Sequence, residues 1–142
     1  MFLDVSTIIY GVDRNIRVKY IQLIQQNRTV LLMLVYIMVM SGPDDGLVLK
    51  LQQPINPDNN VAVFSIGRRE TCDVCIAFDT SVSRLHARLL ISEDKKILLT
   101  DEDSRNGTFI GRQRIKEPTF IQAGELFRVG NTWLRIQSIE KD

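Results

Sequence analysis

Three short segments of this chain carry side chains suited to gripping an anion. Ile66-Gly67-Arg68-Arg69 follows an apolar run with a glycine that permits a close turn, then two guanidinium groups able to hold phosphate oxygens in a bidentate fork. Ser81-Val82-Ser83-Arg84-Leu85-His86 adds hydroxyls, backbone amides and another arginine. Ser104-Arg105-Asn106-Gly107-Thr108 adds an amide side chain that both donates and accepts, as a peptide backbone requires of its reader. A phosphorylated residue brings about 1.5 to 2 negative charges and three acceptor oxygens, which one arginine, a hydroxyl and a few amides can satisfy.

Other chemistry has less to stand on. The chain has no Walker loop, no nucleophile elbow and no carboxylate pair at recognisable spacing, so it reads as a binding protein and not an enzyme. His86 is the single histidine and reads as a hydrogen-bonded structural residue. Cys72-Asp73-Val74-Cys75 has redox or half-zinc spacing, but zinc takes four ligands and the chain offers two thiols and one imidazole. Both cysteines are therefore read as packing residues, Cys75 as a small strand hydrophobe, and no cofactor or metal is called for. A balance of 18 Lys and Arg against 17 Asp and Glu gives no support for a nucleic-acid or membrane-surface partner. Two cysteines this close in sequence make no secreted disulfide scaffold, and a reducing cytoplasm is expected.

For three distant segments to serve one ligand, the fold must gather loops at one end. With 142 residues, 44% hydrophobic and 25% charged, the chain holds one ordinary domain. After Gly46, short apolar or alternating runs are punctuated by Gly, Asp, Asn, Ser and Pro, with no helical period. That pattern predicts strands over 47–51, 61–66, 74–76, 86–91, 96–100, 108–110, 126–129 and 132–139, with residues 116–125 among the loops. Trp133 alternates with polar Thr132 and is expected in the core. The fold class is all-β, a sandwich of two antiparallel sheets whose loops cluster at its ends.

The turn-forming cluster Ser41-Gly42-Pro43-Asp44-Asp45-Gly46 separates residues 1–41, read as an N-terminal extension, from a domain over 42–142. The extension ends in an apolar run, residues 29–40, that as a helix would span about 18 Å against a hydrocarbon core of about 30 Å. It is too short to cross a membrane. Asp4 and Asp13 upstream, and Val39-Met40-Ser41 in place of a small-x-small site, argue against a signal peptide. Three readings stand open: an added strand, a helix packed on the domain or on a second copy as a homodimer contact, and a natural start at Met40 that leaves residues 1–39 outside the product.

Taken together, Ile66-Gly67-Arg68, Ser83-Arg84-Leu85-His86-Ala87 and Ser104-Arg105-Asn106-Gly107-Thr108-Phe109 resemble the forkhead-associated (FHA) domain. Gly124-Glu125-Leu126-Phe127-Arg128-Val129-Gly130 is similar to that family's late strand entry, so the likeness runs from about residue 47 to 139. The resemblance implies an eleven-stranded sandwich that recognises phosphothreonine peptides. It implies that Arg68 and Ser83 hold the phosphate, that Arg84 and Arg105 add contacts, and that Asn106 reads the ligand backbone. Gly67 and His86, with Gly107 and Thr108, would hold the loops in shape, and a small apolar niche would take the threonine methyl group. Gly111-Arg112 departs from the family's usual Asn-Gly but suits a primed turn, which needs positive φ at its first central position. Arg112 and Arg114 are read as solvated charges, with extension of the positive face as the other reading. The expected function is phosphothreonine-dependent binding in Ser/Thr kinase signalling, the partner being a kinase or its substrate. The alternative is a phospho-independent interaction or assembly module using a sheet face.

Overall fold

A computed structural model describes residues 30–142, together with Val18, Ile21 and Gln22. Eleven strands form two sheets: β1 (Leu32–Val39), β2 (Val48–Pro54), β3 (Val61–Gly67), β4 (Val74–Cys75), β5 (Ala87–Ser92), β6 (Ile97–Asp101), β7 (Thr108–Ile110), β8 (Gln113–Arg114), β9 (Thr119–Ile121), β10 (Leu126–Val129) and β11 (Thr132–Lys141). One sheet runs β2-β1-β11-β10-β7-β8 and the other β4-β3-β5-β6-β9. Every pairing is antiparallel except β3 with β4.

The alternation that defined the strands also builds the core. Phe64 and Ile66 of β3, Leu89 and Ile91 of β5, Phe127 of β10 and Leu134 and Ile136 of β11 are fully enclosed between the sheets. The apolar run takes the strand reading: β1 lies between β2 and β11, pairing Met38 with Val48 on one side and with Arg135 on the other. Its Met33, Val35, Ile37 and Val39 are buried in the same core, while Leu34, Tyr36 and Met38 turn outward. The 41/42 division falls in the turn between β1 and β2, closed by Asp45 N–H to Gly42 C=O and Gly46 N–H to Val39 C=O. Both edges of β1 are hydrogen-bonded within the chain, which leaves this strand no backbone edge for a second copy. No helix among the described residues is long and apolar enough to cross a membrane.

Three expectations are corrected. Residues 116–125 are not all loop, because Thr119–Ile121 forms β9 against β6; three residues between Pro118 and Gln122 are too short to show a period. Trp133 is not a core residue. Thr132, Leu134 and Ile136 take the inward face, the Thr132 hydroxyl donating to Asp79 at 2.7 Å, and the indole is left on the outer face. Cys75 is exposed, whereas Cys72 is the buried thiol, its Sγ 3.3 Å from the Arg84 carbonyl. Burial pushes the Cys72 thiol up from its ordinary value.

Candidate functional site

The loops β3–β4, β4–β5 and β6–β7 meet at one end of the sandwich, and the contacts that join them are short-range and directional. Gly67 ends β3 against the backbone of the β4–β5 loop; a Cβ there would stand 2.1 Å from the Arg84 carbonyl oxygen, so no side chain fits. That approach lets Arg68 N–H donate to Ser83 C=O at 3.0 Å and Arg69 N–H to Arg84 C=O at 3.2 Å. The Arg68 side chain is exposed, but its Nε–H donates to Val82 C=O at 3.1 Å. One of five donors is thereby spent on aim, and the terminal nitrogens remain for a ligand.

Ser83 is held equally firmly. Its N–H donates to His86 Nδ1 at 3.0 Å, and its Oγ accepts from the Arg105 N–H at 3.1 Å. With both lone-pair and backbone duties assigned, the hydroxyl proton is free to donate outward. Because Nδ1 accepts, the imidazole carries its proton on Nε2, which donates to Gly107 C=O at 2.8 Å. His86 is fully buried, and burial holds its pKa below 6.5, against the raising effect of the Gly107 carbonyl. It is a neutral cross-brace linking β5 to two loops, as the structural reading has it. Asn106 Nδ2 donates to Ser81 C=O at 2.8 Å, which leaves its Oδ1 without a partner among the described residues.

Two aspartates not singled out in the sequence carry the loops. Asp79 receives the Ser81 N–H and hydroxyl, the Asn131 N–H at 2.9 Å and the Thr132 hydroxyl, tying the β4–β5 loop to the β10–β11 turn. Asp101 receives the Ser104 N–H and hydroxyl and the Thr108 hydroxyl at 2.6 Å, which closes the β6–β7 loop. Burial raises each carboxyl, but these hydrogen bonds outweigh it and both lie below 3.8. A local signal existed, since Asp79-Thr80-Ser81 and Asp101-Glu102-Asp103-Ser104 are side-chain-to-backbone turn patterns. Thr108 supports the loop through Asp101, and Gly107, with φ +90°, lies under the Arg114 side chain. Arg114 is therefore exposed yet laid across the loop, while Gly111 takes φ +57° in the two-residue β7–β8 turn.

Arg68, Arg69 and Arg84 border an open cleft of about 420 Å³, with Glu70 on its rim. A larger groove of about 640 Å³ beside Phe120 lies at the β9 edge, lined mostly by apolar side chains with Lys95 and Lys96 at one side and no arginine. No cluster of metal-ligating side chains occurs among the described residues.

The fold is a two-sheet β-sandwich with the β3–β4, β4–β5 and β6–β7 loops gathered at one end. The FHA domain family model matches residues 64–130 of this chain, and that segment lies within a sandwich of FHA fold. FHA domains are binding modules. Solved structures of similar fold include the FHA domain of CT664 from Chlamydia trachomatis, at TM-score 0.62 and 22% identity over 74% of this chain and 97% of that one. Another is the N-terminal FHA domain of S. cerevisiae Rad53p in complex with a phosphothreonine peptide, at TM-score 0.56 and 19% identity over 77% and 94%. Mycobacterium tuberculosis EmbR in complex with a low-affinity phosphopeptide aligns at TM-score 0.57 and 18% identity over 87% of this chain but only 30% of EmbR. Among curated protein sequences nothing matches this chain.

Proposed function

We propose that this chain captures a phosphothreonine-containing segment of a partner protein at the β3–β4, β4–β5 and β6–β7 loops. The observation that carries the reading is the division of donors at Arg68 and Ser83. Each spends one group on a neighbouring loop and keeps others unspent: the Arg68 fork and the Ser83 hydroxyl proton. In this reading the fork and the hydroxyl hold the phosphate, Arg84 and Arg105 add charge, and the Asn106 Oδ1 accepts a ligand N–H while Gly67, His86, Gly107 and Thr108 keep the loops in register. Rad53p and EmbR, similar in fold, are seen with phosphopeptides, which supports the assignment.

Specificity then comes from charge and backbone reading more than apolar burial. Affinities of about 1 to 100 μM, roughly 5.5 to 8 kcal/mol, suit reversible signalling downstream of a Ser/Thr kinase. The two unpaired thiols accord with a reducing, cytoplasmic setting. The test is binding of the full chain to a degenerate phosphothreonine library beside phosphoserine and unphosphorylated counterparts, repeated with Arg68→Ala. Phosphothreonine-selective binding lost in the variant is the expected result; equal binding of all three libraries by folded protein overturns the reading.

A further inference from the structure

The outward face of the six-stranded sheet is unusual for a solvated surface. In register across the end nearest the loops stand Phe109, Arg128 and Trp133, with the Arg128 guanidinium 4.1 Å from the Phe109 ring centroid and 5.6 Å from that of Trp133. Arg135 pairs with Met38 in the next outward row, and Lys50 pairs with Tyr36 one row beyond, its Nζ 5.9 Å from the ring. The aromatic rings are half-exposed. A solvated sheet face is ordinarily polar, whereas aromatic residues, Met and Arg are enriched in protein-binding surfaces.

The charge is one-sided. The ion pairs among the described residues are Arg88 with Glu102, Lys96 with Asp94 and Lys141 with Glu93, so no carboxylate neutralises Lys50, Arg128 or Arg135. Glu140 is the one carboxylate among the outward residues of these strands, in the row farthest from the loops. The face is also continuous with the candidate site. Phe109 follows Asn106-Gly107-Thr108 directly, and the β10–β11 turn that precedes Trp133 is tied to the β4–β5 loop through Asn131 and Asp79. A bound chain passing Asn106 would run onto the Phe109, Arg128 and Trp133 row.

We propose that this face docks an acidic, extended segment flanking the phosphorylated residue of the same partner protein. The inference rests on the loop reading above and adds a second contact to it. Arg128, Arg135 and Lys50 occupy successive rows two residues apart along the strands but lie on β10, β11 and β2, so they descend the face diagonally at steps of roughly 8 and 12 Å, which an extended peptide crossing the strands obliquely spans in about two to four residues. Carboxylates at alternate positions meet guanidinium and ammonium groups, and the residues between lie over the rings. Linking two weak contacts in one chain raises affinity without either being strong.

The structure offers its own reporter, because Trp133 is the only tryptophan in the sequence. The probes are one phosphothreonine peptide unextended, extended on either side by eight residues alternating Glu with Ser, and extended by Gly-Ser alone. Full-length protein is titrated with each at about 0.1 M salt. The acidic extension on one side is expected to tighten binding roughly tenfold and to shift Trp133 emission, with the Gly-Ser extension doing neither. Lys50→Glu with Arg135→Glu abolishes that gain and leaves the unextended peptide's affinity unchanged. Arg112→Glu with Lys116→Glu, an equal charge change at the β8 edge, retains it. The proposal is overturned if the gain survives the Lys50 and Arg135 reversal, or if both reversals reduce it equally, which would make it bulk electrostatics. It is overturned likewise if a single-stranded oligonucleotide shifts Trp133 emission more strongly than the acidic peptide. Failure of the loop reading is separately visible, because the unextended phosphopeptide then binds no better than its unphosphorylated form. In that case the unphosphorylated acidic peptide is titrated at low salt, and an unmoved Trp133 emission overturns the face as well.

Discussion

Ser83 donates its backbone N–H to Nδ1 of His86, and the far nitrogen of that ring donates to the Gly107 carbonyl, so one buried imidazole spans two loops. His86→Ala leaves the Ser83 N–H and the Gly107 C=O without partners. A loss of roughly 1 to 3 kcal/mol is expected from those unpaired groups. Urea denaturation measures it, and an unchanged midpoint would deny the brace.

The same residue makes stability depend on pH. The native His86 pKa lies below 6.5, so the unfolded chain binds the extra proton first. The contribution is present above the unfolded value and is lost as pH falls from about 6.5 toward the depressed native value. Asp79 and Asp101 lie below 3.8 in the fold, and their contribution, present above that value, is lost as pH falls through their native values. Thermal melts are expected to show two separate declines on acidification. His86→Gln should flatten the first and keep the second.

Arg68→Ala separates binding from folding. The side chain is exposed and braces only Val82 C=O, so the melting temperature should move little. Loss of charge-assisted bonds to a phosphate is worth about 1.5 to 3 kcal/mol, on the order of a 10- to 150-fold weaker phosphopeptide affinity. Calorimetric titration with the wild-type and variant proteins checks it. Arg68→Lys should recover only part, having no planar fork.

Gly67→Ala behaves in the opposite way. Its Cβ meets a backbone carbonyl, not a movable side chain, at 2.1 Å. Overpacking costs about 1 to 3 kcal/mol where side chains can yield, and more is expected here. Denaturant unfolding should show the loss even without ligand.

Removing residues 1–39 deletes β1. Leu32, Met33, Val35, Ile37 and Val39 are buried, and at about 1.5 to 3 kcal/mol each their loss rivals the 5 to 15 kcal/mol by which domains are stable. The edges of β2 and β11 would also stand open. A chain beginning at Met40 is expected to show no cooperative thermal transition by circular dichroism; a sharp one would make β1 dispensable.

Much was determined by the sequence alone where the chemistry is local. Ile66-Gly67-Arg68, Ser83 to His86 and Ser104 to Thr108 are short motifs whose turn requirements and functional groups are written in consecutive residues, so the sandwich and the loop set were legible. The neutral, structural histidine was legible too, since one imidazole without a second titrating partner has little else to do. Tertiary structure decided what depends on partners distant in sequence. An apolar run such as Leu32–Val39 suits a strand or a helix equally, and pairing with Val48–Pro54 and Thr132–Lys141 settled it. Which of Thr132 and Trp133 faces inward turned on Asp79, more than fifty residues away, offering a buried acceptor to the threonine. Strand alternation fixes that neighbours face opposite ways; only the second sheet and its polar anchors choose which face becomes the core.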